Sequence, residues 1–162
     1  MKNKTIPPAQ QLSSLRAKYP GGKVVDIRSN GWTWTHQLQP RASSPFYRFK
    51  ITYSDNHPNV YVLDKLELAD GQERLPHVYS HEKQKLCLYL PNGKEWNATM
   101  SITKIVPWIS RWLYFYESWV VTGEWQGGGM HVSDENYQSL PRSRTERRYI
   151  ERQKQKRKTF LE

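Results

Sequence analysis

Two segments in the first third of the chain alternate between apolar and polar residues. One face of residues 31–38 collects Trp32, Trp34, His36 and Leu38, and one face of residues 47–53 collects Tyr47, Phe49, Ile51 and Tyr53. A period of two predicts a β-strand for each segment. The apolar run Val60–Leu63, which follows turn residues at 54–58, predicts a third strand. Because the connections are too short for helical crossovers, we expect the three strands to form an antiparallel meander.

Two other segments have helical spacing. Leu12 and Leu15 predict a short amphipathic helix over Ala9–Tyr19, which a proline and two glycines then end. A longer helix is predicted where apolar residues recur at intervals of three and four, namely at Ile102, Ile105, Val106, Ile109, Trp112, Leu113, Tyr116 and Trp119. Pro107 is tolerated only in a first turn, so this helix should begin within a turn of it, and Gly123 should end it.

The segment between the meander and the second helix contains the single cysteine of the chain, Cys87. Residues 75–80 have mixed polarity and a proline, which predicts an irregular loop, and Leu86–Leu90 is predicted to be a short extended piece. In an extended piece, Cys87 shares a face with Lys85 and Tyr89 and points away from the leucines. This spacing is compatible with a buried inert thiol and with a nucleophile, and a neighbouring positive charge favours the second.

Length and charge divide the chain into one domain and a tail. A chain of 162 residues, 13% of them aromatic, is long enough for one domain with a core rich in large rings. The formal charge is +10, and residues 141–162, with nine Lys or Arg against three Glu, supply +6 of it. We therefore predict a domain over residues 1–140 and a basic tail over residues 141–162 that is helical or disordered, with a capping box at Ser143 and Glu146.

The composition excludes several kinds of site. A single cysteine rules out an internal disulfide and the zinc sites built on paired cysteines, and no metal site is predicted. The chain has no stretch of about 18 or more apolar residues and no apolar segment at its start, so we expect a cytoplasmic protein without a membrane partner. Gly127–Gly129 lacks the residues that complete a phosphate-binding loop, so we interpret it as a flexible or tightly turned connection.

The region around the cysteine resembles the active-site region of ubiquitin-conjugating enzymes. The residues that carry this resemblance are Leu75–Tyr79, Leu86–Leu90, Trp96 and the helix that begins near Ile102. In that family a His-Pro-Asn loop precedes a Cys-Leu pair, a tryptophan follows, and a helix packs behind. The resemblance implies an α+β fold of the UBC type, with an N-terminal helix, an antiparallel meander, an active-site cysteine segment and a long C-terminal helix.

A narrower resemblance concerns bacterial antiphage defence. Pro76–Tyr79, Leu86–Tyr89, Glu95–Trp96 and Trp125–His131 are similar to the stand-alone conjugating-enzyme-like proteins of CBASS operons. These operons pair such a protein with a cGAS-like nucleotidyltransferase that makes cyclic oligonucleotides. The resemblance implies that the cysteine forms a thioester with the C-terminus of this partner and transfers it to an acceptor. It implies no metal or organic cofactor.

The same resemblance assigns roles to individual residues. Cys87 would carry the acyl group. The family's asparagine is replaced by His77, which can donate a hydrogen bond to an oxyanion or move a proton. The gap between Pro76 and the cysteine is slightly longer than in the family, so His77 or His81 could face the thiol, and we favour His77. Supporting roles are assigned to Tyr89, Trp96 and His131, of which the tryptophan is most simply a packing residue.

Two other hypotheses do not need this chemistry. A UBC-fold adaptor would bind the partner synthase without forming a covalent bond. A small basic protein could instead bind nucleic acid, because the net charge is high. The second of these is the weaker hypothesis, since the charge is concentrated in the tail and no nucleic-acid-binding motif accompanies it.

Overall fold

A computed structural model of the protein describes residues 4–90 and 93–129. The predicted domain boundary at residue 140, the basic tail over residues 141–162 and His131 lie outside this part. Within it, a six-stranded antiparallel sheet packs against helices. This α+β architecture, with an N-terminal helix and a long C-terminal helix, confirms the predicted fold class.

The order of the elements places the cysteine near one edge of the sheet. Across the sheet, the strands follow the order β1-β2-β3-β4-β6-β5. Along the chain, the elements are α1 (Pro8–Lys18), β1 (Lys23–Arg28), β2 (Gly31–Leu38), β3 (Tyr47–Ser54), β4 (His57–Val62), β5 (Val78–Ser80), β6 (Lys85–Leu86), a 3₁₀ turn (Ile102–Lys104) and α2 (Ile105–Thr122).

Strands β2, β3 and β4 form the predicted meander. β2 and β3 pair without interruption from Gly31 opposite Ser54 to Leu38 opposite Tyr47. The alternating residues of these strands point to one face, where those at the centre of β3 are fully buried and Trp32 stacks on Tyr53 at 5.2 Å. The β3–β4 hairpin turns at Asp55 and Asn56, which both have positive φ, as the type I′ turn of a two-residue hairpin requires.

The first helix is anchored to the same face of the sheet. The Trp32 Nε1–H donates to the carbonyl oxygen of Pro8 at 2.8 Å. The fully buried Gln11 amide donates to the Met100 carbonyl oxygen and accepts from the Ile102 N–H, both at 2.8 Å. Because a buried amide is costly unless it is paired, these two bonds fix α1 against the entry to α2.

The second helix has the predicted limits. Pro107 is its third residue, inside the first turn, where its missing N–H costs nothing. Gly123 follows the last residue in the left-handed conformation, with φ of 72°, and its N–H donates to the Trp119 carbonyl oxygen at 2.8 Å. All the residues that predicted this helix are buried.

Two strands were not predicted. Buried and exposed residues do not alternate along β1, and its Val25 and Ile27 are 64% and 68% exposed. Because none of its residues is buried, β1 has no alternation of buried and exposed positions from which a strand could be predicted. β5 lies in residues that we expected to form an irregular loop, and it has three residues. The predicted extended piece at Leu86–Leu90 is a strand only in Lys85–Leu86, after which the chain leaves the sheet.

Candidate active site

Cys87 lies directly after strand β6 and opposite His77. Val78 of β5 pairs with Leu86 of β6 in an antiparallel ladder. One step further along this ladder, the Cys87 N–H donates to the His77 carbonyl oxygen at 3.0 Å. Two short strands thus bring together the two residues that the sequence favoured for catalysis.

His77 is held in a constrained position. Its φ of 46° is left-handed, a conformation in which histidine is several-fold enriched among the residues other than glycine. Its carbonyl oxygen also accepts a buried hydrogen bond from Trp112 Nε1 at 3.0 Å. The imidazole stacks on the Trp125 ring, with the centroids 4.9 Å apart, and a Cβ at Gly129 would lie 3.3 Å from its Cε1. The side chain is 7% exposed, so it is part of the packed wall of the site.

A cleft of about 250 Å³ opens at the thiol. Gly128 and Gly129 have φ of 66° and 84°, and the Trp125 Nε1–H donates to the Gly128 carbonyl oxygen at 3.1 Å, which confirms a tightly turned connection. The walls come from the end of β6, from α2 and from this glycine segment. The residues that line the cleft are His77, Cys87, Leu88, Trp108, Arg111, Trp112, Phe115, Trp125, Gly127, Gly128 and Gly129.

The thiol is protonated in this environment. Burial raises the pKa of Cys87 above its ordinary value, and the nearby Glu95 carboxylate raises it further. A hydrogen bond with Tyr79 and the charge of Lys85 lower the pKa, but they do not compensate for the burial. The effect that we predicted for a neighbouring cation is therefore present, but the effect of burial on the thiol pKa is larger.

The comparison with protein families agrees with this geometry. A family model described as Type II CBASS E2 protein matches residues 11–132, which is most of the chain. The chain belongs to this family. The protein is thus an E2-like protein of a CBASS system, as the narrower resemblance implied. No curated protein matches it significantly.

In this CBASS E2 protein, Tyr89 and Trp96 support the cysteine segment from the side of the β3–β4 turn. The Tyr89 hydroxyl donates to the Pro58 carbonyl oxygen at 2.5 Å, and its ring packs 6.2 Å from that of Trp96. Trp96 is 1% exposed, and its Nε1–H donates to the Asn56 carbonyl oxygen at 3.1 Å. Both rings therefore tie the cysteine segment to a rigid hairpin, which agrees with a packing role for Trp96.

The two histidines that compete for the thiol lie in different places. His77 lines the cleft with Cys87, whereas His81 is not among the described residues that line it. The His81 Nδ1 accepts a hydrogen bond from the Leu75 N–H at 3.2 Å, so its ring orders the loop before β5. His131, the third candidate, lies outside the described residues.

The phenol beside the thiol is Tyr79 and not Tyr89. Because the chain leaves the sheet after Leu86, the alternation that placed Lys85, Cys87 and Tyr89 on one face does not hold. The Tyr79 hydroxyl is hydrogen-bonded to the thiol and donates to the Tyr89 carbonyl oxygen. The Lys85 ammonium lies 5.4 Å from the centroid of the Tyr79 ring. If residues 78–80 had been interpreted as a strand paired with β6, the sequence would have identified Tyr79 as the phenol beside the thiol.

Two further residues line the cleft: Arg111, which the sequence analysis did not single out, and Trp125, which it quoted in the family resemblance without giving it a role. The tryptophan follows the end of α2, where nothing in the sequence shows that the chain turns back toward the thiol. The described ranges contain no cluster of three or more His, Cys, Asp or Glu residues suited to a metal ion. No helix in those ranges combines the length and the apolar character that crossing a membrane requires.

Proposed function

We propose that Cys87 carries an acyl group as a thioester. The donor is the C-terminus of a partner protein of the same CBASS system, a cGAS-like nucleotidyltransferase, and the acceptor is an amine or another nucleophile. Two findings support this function: the chain belongs to a family of E2-like proteins, and its single cysteine opens into a cleft beside a packed histidine. In a bacterial cell, transfer of the synthase C-terminus would regulate antiphage defence from the cytoplasm.

In the first step, the thiolate attacks the carbonyl carbon of a C-terminus that a separate enzyme has activated. The S–C bond forms, the bond to the activating group breaks, and that group leaves with the electron pair. Because burial raises the thiol pKa, the proton must leave as the donor binds. His77 is the histidine among the described residues that line the cleft, and an imidazole is the kind of side chain that can take up this proton.

In the second step, the acceptor amine attacks the thioester carbonyl. The C–N bond forms, the C–S bond breaks, the thiolate returns, and the amine loses one proton to solvent or to the imidazole. Each attack places negative charge on the carbonyl oxygen, and we assign its stabilisation to a hydrogen bond from His77. The ring stacks on Trp125, and such a pre-oriented donor spends little free energy on reorganisation.

The observation that carries the proposal is the backbone hydrogen bond between Cys87 and His77. It fixes the separation of the two main chains at the nucleophile and the proposed donor, and the stacking on Trp125 then orients the imidazole. A further buried bond from Trp112 holds the same carbonyl oxygen. A site assembled in this way is rigid before substrate arrives, as efficient transfer requires.

A trapping experiment tests the function. Wild type, Cys87→Ser and the matched control Cys87→Ala are each expressed with the cGAS-like synthase of the same operon, and intact masses are measured. We expect a conjugate with wild type that excess thiol releases, a more stable oxyester with the serine variant, and none with the alanine variant. A conjugate found only on a lysine, with position 87 unmodified, would contradict the mechanism.

One observation favours the adaptor as a second candidate function. The thiol is buried enough for its pKa to rise, as it does for structural cysteines. An adaptor should bind the synthase equally well as wild type and as Cys87→Ala, without a covalent conjugate in either case. The same three proteins therefore separate the two functions.

A further inference from the structure

Tyr79 is the extra residue of a β-bulge in strand β5. In the ladder between β5 and β6, Val78 pairs with Leu86 and Ser80 pairs with Lys85. Three residues of β5 therefore lie opposite two of β6, and Tyr79 is the additional one. A bulge bends its strand and turns a side chain away from the direction that regular alternation would give it, and bulges often lie next to active sites.

The Tyr79 phenol reaches the chain that follows β6. Its hydroxyl donates to the Tyr89 carbonyl oxygen and is hydrogen-bonded to the Cys87 thiol. The Lys85 ammonium lies 5.4 Å from the centroid of the phenol ring, and Lys85 is 9% exposed. A cation at this distance is attracted to the face of the ring and helps to hold it in place. The hydroxyl is thus positioned between two groups that can accept its proton, a carbonyl oxygen and a sulfur.

A phenol has one proton to donate, and this limits the states of the arrangement. While the O–H points to the Tyr89 carbonyl oxygen, the phenol oxygen can only accept, so the thiol S–H donates to it. This state requires a protonated thiol, and burial raises the pKa of Cys87 accordingly. A thiolate has no proton to donate. Once the proton has left, the contact is favourable only if the O–H turns to the sulfur.

We propose that Tyr79 is a further catalytic residue, whose hydroxyl turns from the Tyr89 carbonyl oxygen to the Cys87 sulfur and stabilises the thiolate. This inference rests on the proposed function, in which the thiolate is the nucleophile and later the leaving group. The S–H bond breaks and its proton goes to the His77 imidazole or to solvent, while the phenol O–H bond stays intact. Tyr79 is not among the described residues that line the cleft, so it acts on the sulfur and leaves the acyl oxygen to His77.

Alkylation of the thiol tests the proposal without a partner protein. Cys87 is the single cysteine of the chain, so the mass gained with iodoacetamide reports on this sulfur, and the thiolate is the form that reacts. Rates are measured between about pH 6.5 and about pH 10, on both sides of the ordinary thiol pKa. The proteins are wild type, Tyr79→Phe and the matched control Tyr114→Phe, which changes a 45% exposed tyrosine of α2.

We expect Tyr79→Phe to be alkylated about tenfold more slowly than wild type at neutral pH, which is the scale of one hydrogen bond to a charged group. The step of its pH profile should lie at a higher pH, and Tyr114→Phe should match wild type. Phenylalanine keeps the ring and its contact with Lys85, so the variant should fold, and urea denaturation checks this.

The turn of the O–H is followed at the carbonyl group that it leaves. A tyrosine followed by a leucine occurs once in the chain, at residues 89 and 90. Carbonyl-labelled tyrosine and nitrogen-labelled leucine together therefore single out the Tyr89 carbonyl carbon in carbon-detected NMR. In wild type, we expect this signal to move upfield, as it does when a hydrogen bond is lost, with the same midpoint as alkylation. In Tyr79→Phe the signal should not follow the thiol.

Equal alkylation of wild type and Tyr79→Phe would overturn the proposal. Faster alkylation of the variant would overturn it too, because a phenol that only packs against the thiol shields it. A Tyr89 carbonyl signal that does not move with the thiol would exclude the turn of the O–H. The proposed function can fail separately. If alkylation changes as expected but wild type forms no conjugate with the synthase, Tyr79 stabilises the thiolate and the acyl transfer is wrong.

Discussion

The meander and the cysteine edge of the same sheet are held together in different ways. β2 and β3 share eight consecutive residue pairs, and most of the rings between them are fully buried. β5 and β6 share two pairs, interrupted by an irregularity. At this edge, hydrogen bonds from side chains to the main chain take the place of hydrogen bonds between strands. Examples are the bond from Trp112 to His77 and the bond from Trp96 to Asn56.

This difference separates stability from chemistry. Burying large apolar side chains supplies most of the free energy of folding, and the meander holds most of the fully buried rings of the sheet. The cysteine edge gains less from burial and depends on individual polar contacts that orient His77 and Cys87. Substitutions in the two regions should therefore affect different measurements.

The largest effect on stability is expected at Phe49 in the centre of β3. Its ring is fully buried between those of Trp34 and His36, so Phe49→Ala leaves a cavity that the paired strands cannot close. We expect a loss of about 3–5 kcal/mol in the free energy of unfolding, measured by urea denaturation. Cys87→Ala, measured in the same way, should change it far less. A loss below about 1 kcal/mol at Phe49 would show that the meander does not dominate stability.

Apart from loss of the nucleophile itself, the largest effect on chemistry is expected at His77. His77→Gly removes the imidazole while keeping a residue that adopts positive φ freely, so the loop should survive. We expect the rate of conjugate formation to fall about 10²-fold, the scale of losing one oxyanion donor. His77→Asn should recover part of this rate, because asparagine also tolerates the left-handed conformation and supplies an amide donor.

The pH dependence of the rate distinguishes a role of the His77 imidazole from a role of the main chain at this position. An amide stays neutral, so His77→Asn should lack any step of activity near the ordinary histidine pKa of about 6.5. Equal rates for wild type and both variants at saturating partner would remove the imidazole from the mechanism. Urea denaturation of all three proteins shows whether a lost rate reflects lost structure.

The same division explains what the sequence could predict. The period of two in β2 and β3 exists because one face of each strand is buried, so the sequence pattern reports the fold directly. α2 is predicted equally well, and Gly123 marks its end. The fold class and the meander are accordingly confirmed.

The cysteine edge could be predicted only in part. A two-residue strand is too short to show an alternating pattern. The alternation that we assumed for residues 85–89 predicted that the Tyr89 phenol lies beside the thiol, whereas the structure places the Tyr79 phenol there. Arg111 and Trp125 reach the cleft through tertiary packing, which no local pattern encodes. The pairing of Cys87 with His77 was predicted from the family resemblance, since periodicity could not indicate it, and the structure places both residues at one cleft.

The smallest effect we expect is on the pH dependence of stability, and it concerns the thiol itself. Below the ordinary thiol pKa of 9.0, Cys87 is protonated in both the folded and the unfolded chain, so it contributes no pH dependence. Above that value the unfolded chain loses the proton first, whereas burial raises the pKa in the folded protein and retains it. Unfolding is therefore favoured as the pH rises, and wild type should lose stability that Cys87→Ser keeps.

Urea denaturation of wild type and Cys87→Ser between pH 8 and pH 10.5, about 1.5 units above the ordinary thiol value, measures this difference. Tyrosines titrate in both proteins, including Tyr116, for which burial raises the pKa to about 12, so their contributions cancel in the comparison. If the free energies of unfolding of wild type and Cys87→Ser depend on pH in the same way over the whole range, the thiol is as solvated in the folded protein as in the unfolded chain. In that case burial would add nothing to the cost of removing the proton, although the thiol would still have to lose it at neutral pH before it attacks.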